Sequence, residues 1–185
     1  MLPSFFKNLG PISIDSIKCL IDCDLHNLQK NISFRDFVGI NNIKSNSLSF
    51  LYDDKPIKFK LPENVVIICN LKTLKSNAEI KQAIIVKNVQ EAVAKISNIF
   101  YRDLNYREIE LLDKPVIGQN TSLHENARIQ NGAIVGNNVK IGSGVFIGHN
   151  CIIGNNSIID ANAVITNSIL GDKVMIGRNT SIGQP

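Results

Sequence analysis

The three histidines are the side chains of this chain best suited to acid–base chemistry. They are His26, His124 and His149, and a neutral imidazole can accept a proton near neutral pH. His149 lies in Ile147-Gly148-His149-Asn150, a short polar break in an apolar pattern. We therefore take His149 as a candidate general base, and a solvated polar residue at a corner is the alternative.

Two cysteines and a histidine near the amino terminus have a spacing that could serve a metal ion. Cys19, Cys23 and His26 could share one face of a helix. A structural zinc site needs four ligands, and no fourth is evident nearby. Because cytosolic proteins seldom form disulfides, we expect these cysteines, together with Cys69 and Cys151, to be free thiols, and we predict no metal site.

The element that would position His149 is a six-residue repeat in the last third of the chain. One apolar residue, called here the lead residue, returns every six positions, with a single five-residue step before Leu170. The lead residues are Ile117, Leu123, Ile129, Val135, Ile141, Ile147, Ile153, Ile159, Ile165, Leu170, Ile176 and Ile182. Small or short branched residues follow four places on: Thr121, Ala127, Ala133, Val139, Val145, Cys151, Ser157, Ala163, Ile169, Val174 and Thr180.

A period of six fits neither a helix nor a simple strand. It fits a short strand and a tight corner, repeated, with Gly and Asn at corners that need left-handed backbone angles. The lead residue and the small residue four places on would point inward. Such repeats stack into a parallel β-helix, in which each repeat covers the apolar face of its neighbour.

The residues before the repeat predict a small α/β domain. We expect a short helix over Ser13–Leu20, strands at 32–38, 48–52, 65–69 and 83–86, and a helical turn or two over 71–77. Asn88 would cap an amphipathic helix, with Glu91 at the capping-box position. Its buried stripe would be Val89, Ala92, Val93, Ile96, Ile99 and Phe100.

The charged and aperiodic segment that follows the helix ends at Pro115 and predicts a domain boundary. The expected organisation is an α/β domain over residues 1–101, a linker over 102–115 and a β-helix over 116–185, incomplete at its C-terminal end.

Several motifs, in this order, resemble the UDP-3-O-(3-hydroxyacyl)glucosamine N-acyltransferases of lipid A synthesis. They are the opening segment 5–11, the strand 47–51, the apolar segment 83–88, and the five-residue step in the repeat. The resemblance implies a left-handed parallel β-helix with three hexads per turn and a nucleotide-sugar (uridine) binding α/β domain before it.

The same resemblance implies a uracil site in the segment Ser49-Phe50-Leu51-Tyr52-Asp53-Asp54-Lys55-Pro56. Phe50 would stack on the base, and Lys55 matches the family. Asp53 stands in place of the family's Asn and Pro56 in place of its Tyr, which removes an amide donor and a phenol. Phe50 as a plain core residue is the alternative.

The implied reaction is attack of the 2-amine of UDP-3-O-acylglucosamine on a 3-hydroxyacyl thioester of acyl carrier protein, with no cofactor. A His would accept the amine proton and backbone N–H groups would hold the oxyanion. The family's catalytic His lies in a later coil, so we expect it beyond Pro185 and predict no catalytic residue within this chain. The alternatives are an inert hexapeptide scaffold fragment, and another hexapeptide acyltransferase that uses His149.

Composition and charge set the remaining expectations. The net charge of +4 comes without an arginine cluster or aromatic–basic interleaving, so nucleic acid is not an expected partner. No apolar run is long enough to span a bilayer and no signal peptide is evident, which predicts a cytoplasmic protein. The expected partners are acyl carrier protein and a UDP-sugar, with a homotrimer in the complete protein. A β-helix that stops in mid-hexad exposes an unpaired edge, so poor solubility or irregular oligomers are expected.

Overall fold

The computed structural model describes residues 5–28, 31–52 and 56–184. The chain forms two compact units, one over residues 8–102 and the other over residues 103–184 together with 5–7. No helix in the described ranges is long and apolar enough to cross a membrane.

The first unit is an α/β unit with short helices and strands. Its elements in chain order are β1 (Phe6–Asn8), β2 (Ile12–Ser13), α1 (Ile14–Lys18), β3 (Asp24–His26), β4 (Ser33–Phe34), β5 (Phe37–Gly39), a 3-10 turn (Ile40–Asn42), β6 (Leu48–Phe50), β7 (Val66–Cys69), α2 (Leu71–Ser76), β8 (Ala83–Ile85), α3 (Val89–Phe100) and β9 (Tyr101–Asp103). Strands β1 and β9 pair where the chain passes from one unit to the other, and β2 pairs with β4.

A five-stranded sheet in the order β3-β8-β7-β6-β5 is the framework of this unit. Strands β5 to β8 are parallel, and β3 is antiparallel to β8 at one edge. The continuous apolar run predicted at 65–69 forms the central strand β7, whose four residues are all fully buried. Burial on both faces explains why this strand is uniformly apolar rather than alternating.

Asparagine and serine side chains begin the helices of this unit, as their preference for the N-cap position predicts. Ser13 caps α1, Asn70 caps α2, and the Asn88 side chain accepts the Glu91 N–H at 3.1 Å at the start of α3. The predicted reciprocal capping box is wrong in one half, because the Glu91 carboxylate binds Lys95 Nζ at 2.7 Å, one turn along the helix. Four stripe residues of α3 are buried, and Val93 and Ile99 are partly buried.

The charged segment after β9 contains a helix that the apolar pattern does not show. Helix α4 (Tyr106–Glu110) begins at Asn105, whose side chain accepts the Glu108 N–H while Glu108 accepts the Asn105 N–H. The turn after α4 contacts the β-helix, since the Gly132 N–H donates to the Asp113 carbonyl at 2.6 Å.

The second unit is a parallel β-helix built from strands of two residues each. The strands are β10 (Val116–Ile117), β11 (Ser122–Leu123), β12 (Arg128–Ile129), β13 (Ile134–Val135), β14 (Lys140–Ile141), β15 (Phe146–Ile147), β16 (Ile152–Ile153), β17 (Ile158–Ile159), β18 (Val164–Ile165), β19 (Ile169–Leu170), β20 (Met175–Ile176) and β21 (Ser181–Ile182). They form three four-stranded sheets in which each strand pairs with the third one along the chain. The predicted repeat is confirmed: every lead residue is the second residue of a strand, and one turn holds three hexads.

The lead residues form the core of the β-helix together with the small residues four places on. Val135, Ile147, Ile153, Ile159 and Ile165 are at most 1% exposed. At the amino-terminal end, by contrast, Ile117 and Leu123 are 37% and 45% exposed.

One inward position was predicted wrongly. Ile169 is 48% exposed, because it is the outward residue of β19. In the five-residue step the small inward residue is Ser168 instead, and its carbonyl accepts the Ile152 N–H. The shortened step removes one residue from the corner rather than from the strand, and so keeps Leu170 in register with Ile153.

The corners of the β-helix use left-handed backbone angles. After the strands β10, β13, β16 and β19, the residues with positive φ are Asn120 (56°), Asn138 (56°), Asn156 (58°) and Lys173 (58°). Asparagine tolerates this conformation better than most residues do. Lys173 is therefore the exception among the residues at this corner of successive coils.

Candidate functional site

The four parallel strands of the α/β unit end at one edge of the sheet, called here the carboxyl edge. Their last residues are Gly39, Phe50, Cys69 and Ile85. Open α/β sheets bind ligands outside the carboxyl ends of their strands. The predicted nucleotide-binding segment leaves the sheet at this edge, directly after Phe50.

Phe50 has the contacts of a core residue and is also partly exposed. It is half-buried and packs against the cluster that contains Leu48 and Ile68. Its ring centroid lies 5.3 Å from that of Phe37, at an interplanar angle of 54°, and 4.9 Å from that of Tyr52, at 52°. Both alternatives for Phe50 therefore have a structural basis, with neighbouring rings occupying much of the space around it.

Tyr52 is an aromatic side chain of this edge that the sequence reasoning did not select. It is 49% exposed, although its ring contacts Phe50. The available signal was the alternation of a strand, because Leu48, Phe50 and Tyr52 occupy every second position and so face the same side.

The other two predicted nucleotide-binding residues, Asp53 and Lys55, lie outside the described residues, so their assignment stays a prediction. Pro56, which replaces the family's tyrosine, is exposed. The aromatic surface of this segment in the described residues is therefore that of Phe50 and Tyr52.

A cavity of about 500 Å³ lies at the ends of β7 and β8. Its lining combines apolar groups with charged ones of both signs: Asp22, Cys23, Asp24, Asn70, Leu71, Lys72, Ile85, Val86 and Lys87. Lysine ammonium groups suit phosphate oxygens, and carboxylates accept hydrogen bonds from sugar hydroxyls. The cavity therefore has the chemistry for a polar, phosphate-bearing ligand.

A hydrogen-bond network fixes the start of β5, the strand that carries Phe37. The Tyr101 hydroxyl donates to Asp36 Oδ1 and lies 2.8 Å from the Phe37 carbonyl. Asp36 Oδ1 also accepts the Phe37 N–H at 2.9 Å and Asn8 Nδ2 at 3.2 Å. Burial, with the hydrogen bond to Asp36, raises the pKa of Tyr101 to about 12. Tyr101 thus stays protonated at neutral pH and fixes the strand whose Phe37 ring contacts Phe50.

His149 lies at a corner of the β-helix, where its ring makes a structural contact. Its Nε2 is 3.0 Å from the Phe5 carbonyl, and its backbone N–H donates to Gln130 Oε1 at 3.0 Å. A carbonyl only accepts, so Nε2 must carry the proton of this bond. The geometry therefore has His149 holding residue 5 against the β-helix.

The other two histidines also lack the surroundings of a general base. His124 is exposed, and its Nδ1 accepts the Asn126 N–H at 3.4 Å. His26 Nε2 is 3.2 Å from the Asn27 amide nitrogen. No histidine hydrogen-bonds to a carboxylate in the described parts of the chain, so none shows the His–carboxylate pairing that orients a catalytic imidazole.

The four cysteines are free. Within the described residues, no group of three or more His, Cys, Asp or Glu side chains could hold a metal ion. Burial raises the pKa of Cys23, of Cys151 and of Cys69, the last to about 11. At neutral pH these thiols are therefore protonated and poorly nucleophilic.

Comparison with known proteins places a relationship in the β-helix alone. Residues 111–184 match a family model, the GMPPB C-terminal domain. That domain is a hexapeptide-type β-helix of a nucleotidyltransferase. No curated protein matches the chain.

The match agrees with the geometry of the second unit. It begins in the turn after α4 and runs through all twelve strands of the β-helix. It does not include the α/β unit, so Phe50 and the carboxyl edge lie outside the matched region.

Proposed function

We propose that this chain is part of an N-acyltransferase. The reaction is transfer of a 3-hydroxyacyl chain from acyl carrier protein to the 2-amine of UDP-3-O-acylglucosamine, in lipid A biosynthesis in the cytoplasm. In this proposal the α/β unit binds the uridine part of the acceptor, and the β-helix is left-handed and trimeric.

The observation that carries the proposal is the pairing of two features along one chain. An α/β unit presents a pair of aromatic rings at the carboxyl edge of its sheet, and a β-helix with three hexads per turn follows. The aromatic pair supplies flat apolar surface for a base. The cavity at the ends of β7 and β8 supplies lysines, which suit the diphosphate.

The proposed chemistry needs a neutral imidazole, because the amine must lose a proton as it attacks the thioester carbon. The Nε2 of His149 is hydrogen-bonded to the Phe5 carbonyl, and in the described residues none of the three histidines is oriented by a carboxylate. We therefore assign nucleotide recognition and scaffolding to this chain and no catalytic residue.

Calorimetric titration with UDP-GlcNAc tests the recognition step. We expect saturable binding of UDP-GlcNAc, and much weaker binding of ADP-glucose at the same concentrations. Equal heats for the two nucleotide sugars, or none for either, would refute the proposal.

An acyl-transfer assay with acyl carrier protein thioester and UDP-3-O-acylglucosamine tests whether His149 is the base. We expect no dependence on His149, so that wild type and His149→Ala both stay at the background rate. A rate that falls to background in His149→Ala would favour a different hexapeptide acyltransferase that uses this residue.

The second candidate function is a hexapeptide scaffold that performs no transfer. The match of residues 111–184 to a β-helix domain of a nucleotidyltransferase favours it, because a β-helix can serve assembly alone. An oligomer that binds no UDP-sugar would support this candidate over the first.

An aliphatic outer face supports the proposed trimer. Val116, Ile134, Ile152 and Ile169 are outward residues of β10, β13, β16 and β19, and they are stacked in register. Val116, Ile134 and Ile169 are 59%, 45% and 48% exposed in the single chain. A contiguous aliphatic face of this kind is typical of a protein–protein contact.

A further inference from the structure

Exposure to solvent increases from β6 into the residues that follow it at the carboxyl edge. Leu48 is fully buried, Phe50 is half-buried, and Tyr52 is 49% exposed. Leu48 and Phe50 lie on the same side of β6 and pack in the same cluster, and the ring of Tyr52, which follows the strand, contacts that of Phe50. Tyr52 is therefore the outermost ring of the stack.

The neighbours of Phe50 limit what else can stack on it. The ring centroid of the buried Phe37 lies 5.3 Å from that of Phe50, and the ring centroid of the exposed Tyr52 lies 4.9 Å from it. Both rings are tilted by more than 50° against Phe50, so neither is stacked face to face on it. A planar ligand that stacked on Phe50 would compete with these two rings for the space around it.

We propose that Tyr52, rather than Phe50, is the residue on which the nucleotide base stacks. This inference rests on the proposed function and names the specificity-determining residue of the same site. Phe50 is then a positioning residue, because its ring contacts that of Tyr52. The structure thus provides a second aromatic ring, four residues before Pro56, in a segment whose expected tyrosine is missing.

The chemistry of tyrosine suits this role. Its ring face offers apolar area at low cost in side-chain entropy, and its hydroxyl can donate to a base carbonyl or accept from a base N–H. Stacking of one base on an aromatic side chain corresponds to a change of roughly 5- to 150-fold in Kd. A loss within this range is expected when the ring is removed.

Calorimetric titration of the full chain with UDP-GlcNAc tests the inference. Tyr52→Ala should weaken binding by about 10-fold or more, whereas Tyr52→Phe, which keeps the ring, should weaken it by less than about 3-fold. Phe50→Leu, which keeps apolar volume, should also stay within about 3-fold. Tyr106→Ala is the matched control, because Tyr106 is 71% exposed and belongs to the other compact unit.

A second ligand shows which part of the nucleotide sugar Tyr52 touches. GlcNAc-1-phosphate lacks the base, so its binding should be the same in wild type and Tyr52→Ala. Equal losses for both ligands in Tyr52→Ala would indicate a general disturbance of the site and overturn the stacking role.

The outcomes separate this inference from the proposed function. If wild type binds UDP-GlcNAc but Tyr52→Ala binds it equally well, Tyr52 does not stack on the base and the proposed function stands. If only Phe50→Leu loses binding, the base stacks on Phe50. If wild type does not bind UDP-GlcNAc, the proposed function and the inference both fail.

Discussion

Two glycines that each follow a lead isoleucine should respond very differently to alanine. Gly154 follows the lead residue Ile153 and Gly177 follows the lead residue Ile176. A Cβ at Gly154 would collide with the backbone of Gly171 and Asp172 in the next coil. A Cβ at Gly177 would meet only Thr180 Oγ1, at 3.9 Å.

The expected magnitude follows from what can move. Backbone in a stacked coil cannot rotate away as a side chain can, and overpacking of this kind costs about 1–3 kcal/mol. Neither glycine has a positive φ, so alanine adds no backbone strain at either position. Replacing glycine by alanine restricts the unfolded chain at both positions, and this gain of up to about 1 kcal/mol cancels in the comparison. Gly154→Ala should therefore be less stable than Gly177→Ala by roughly 1–3 kcal/mol.

Pulsed alkylation of Cys151 across a urea series measures this difference in the β-helix alone. Cys151 is fully buried in the β-helix core, so its labelling, followed by peptide mass spectrometry, reports unfolding of that unit. Equal urea midpoints for the two variants would refute the stacking geometry of the coils.

Three further perturbations test the corners of the β-helix, the hydrogen bonds of Tyr101 and the proposed trimer. Lys173→Asn should stabilise the β-helix by about 1 kcal/mol by relieving left-handed strain, and Asn156→Lys at the same corner of the preceding coil should destabilise it by a similar amount. Urea midpoints at high salt measure both changes, and midpoint shifts of the same sign would contradict the strain argument. Because the pKa of Tyr101 is raised in the folded state, its contribution to stability is full below pH 10 and is lost as pH rises toward about 12; the alkaline loss of stability should be smaller in Tyr101→Phe, and an unchanged pH profile would contradict the network. Ile134→Lys should dissociate the proposed trimer, whereas Ile158→Lys on a neighbouring sheet, where Ile158 is 37% exposed, should leave it intact; light scattering measures both, and an unchanged mass for Ile134→Lys would exclude this face as the interface.

The β-helix could be predicted from the sequence because its contacts follow a fixed period. Each lead residue pairs with the third lead residue after it along the chain. The six-residue period therefore predicts both the fold and the register of the strands. The period fails only at the five-residue step. There Ile169 lies four places after the lead residue Ile165, but Ser168 is the residue at the inward position. A corner that is one residue shorter changes the spacing between lead residues and leaves the strands unchanged. The spacing alone cannot show whether the missing residue belongs to the corner or to the strand.

The α/β unit was predictable in its elements and less so in its site. Burial of β7 and the stripe of α3 follow from apolar runs and helical spacing, which are local. Helix α4 carries no apolar stripe, and its only signal is the Asn105–Glu108 capping box, which the charged composition obscures. The sequence alone does not single out Tyr52, because its exposure beside Phe50 depends on which side chains of the folded chain cover each ring.

Amide chemical-shift mapping with UDP-GlcNAc reports which of the two units binds the nucleotide sugar. We expect saturable shifts concentrated at the carboxyl edge, at Phe50 to Tyr52 and around Asn70 and Lys87. Shifts confined to the corner of the β-helix around His149, or no shifts at saturating ligand, would contradict it.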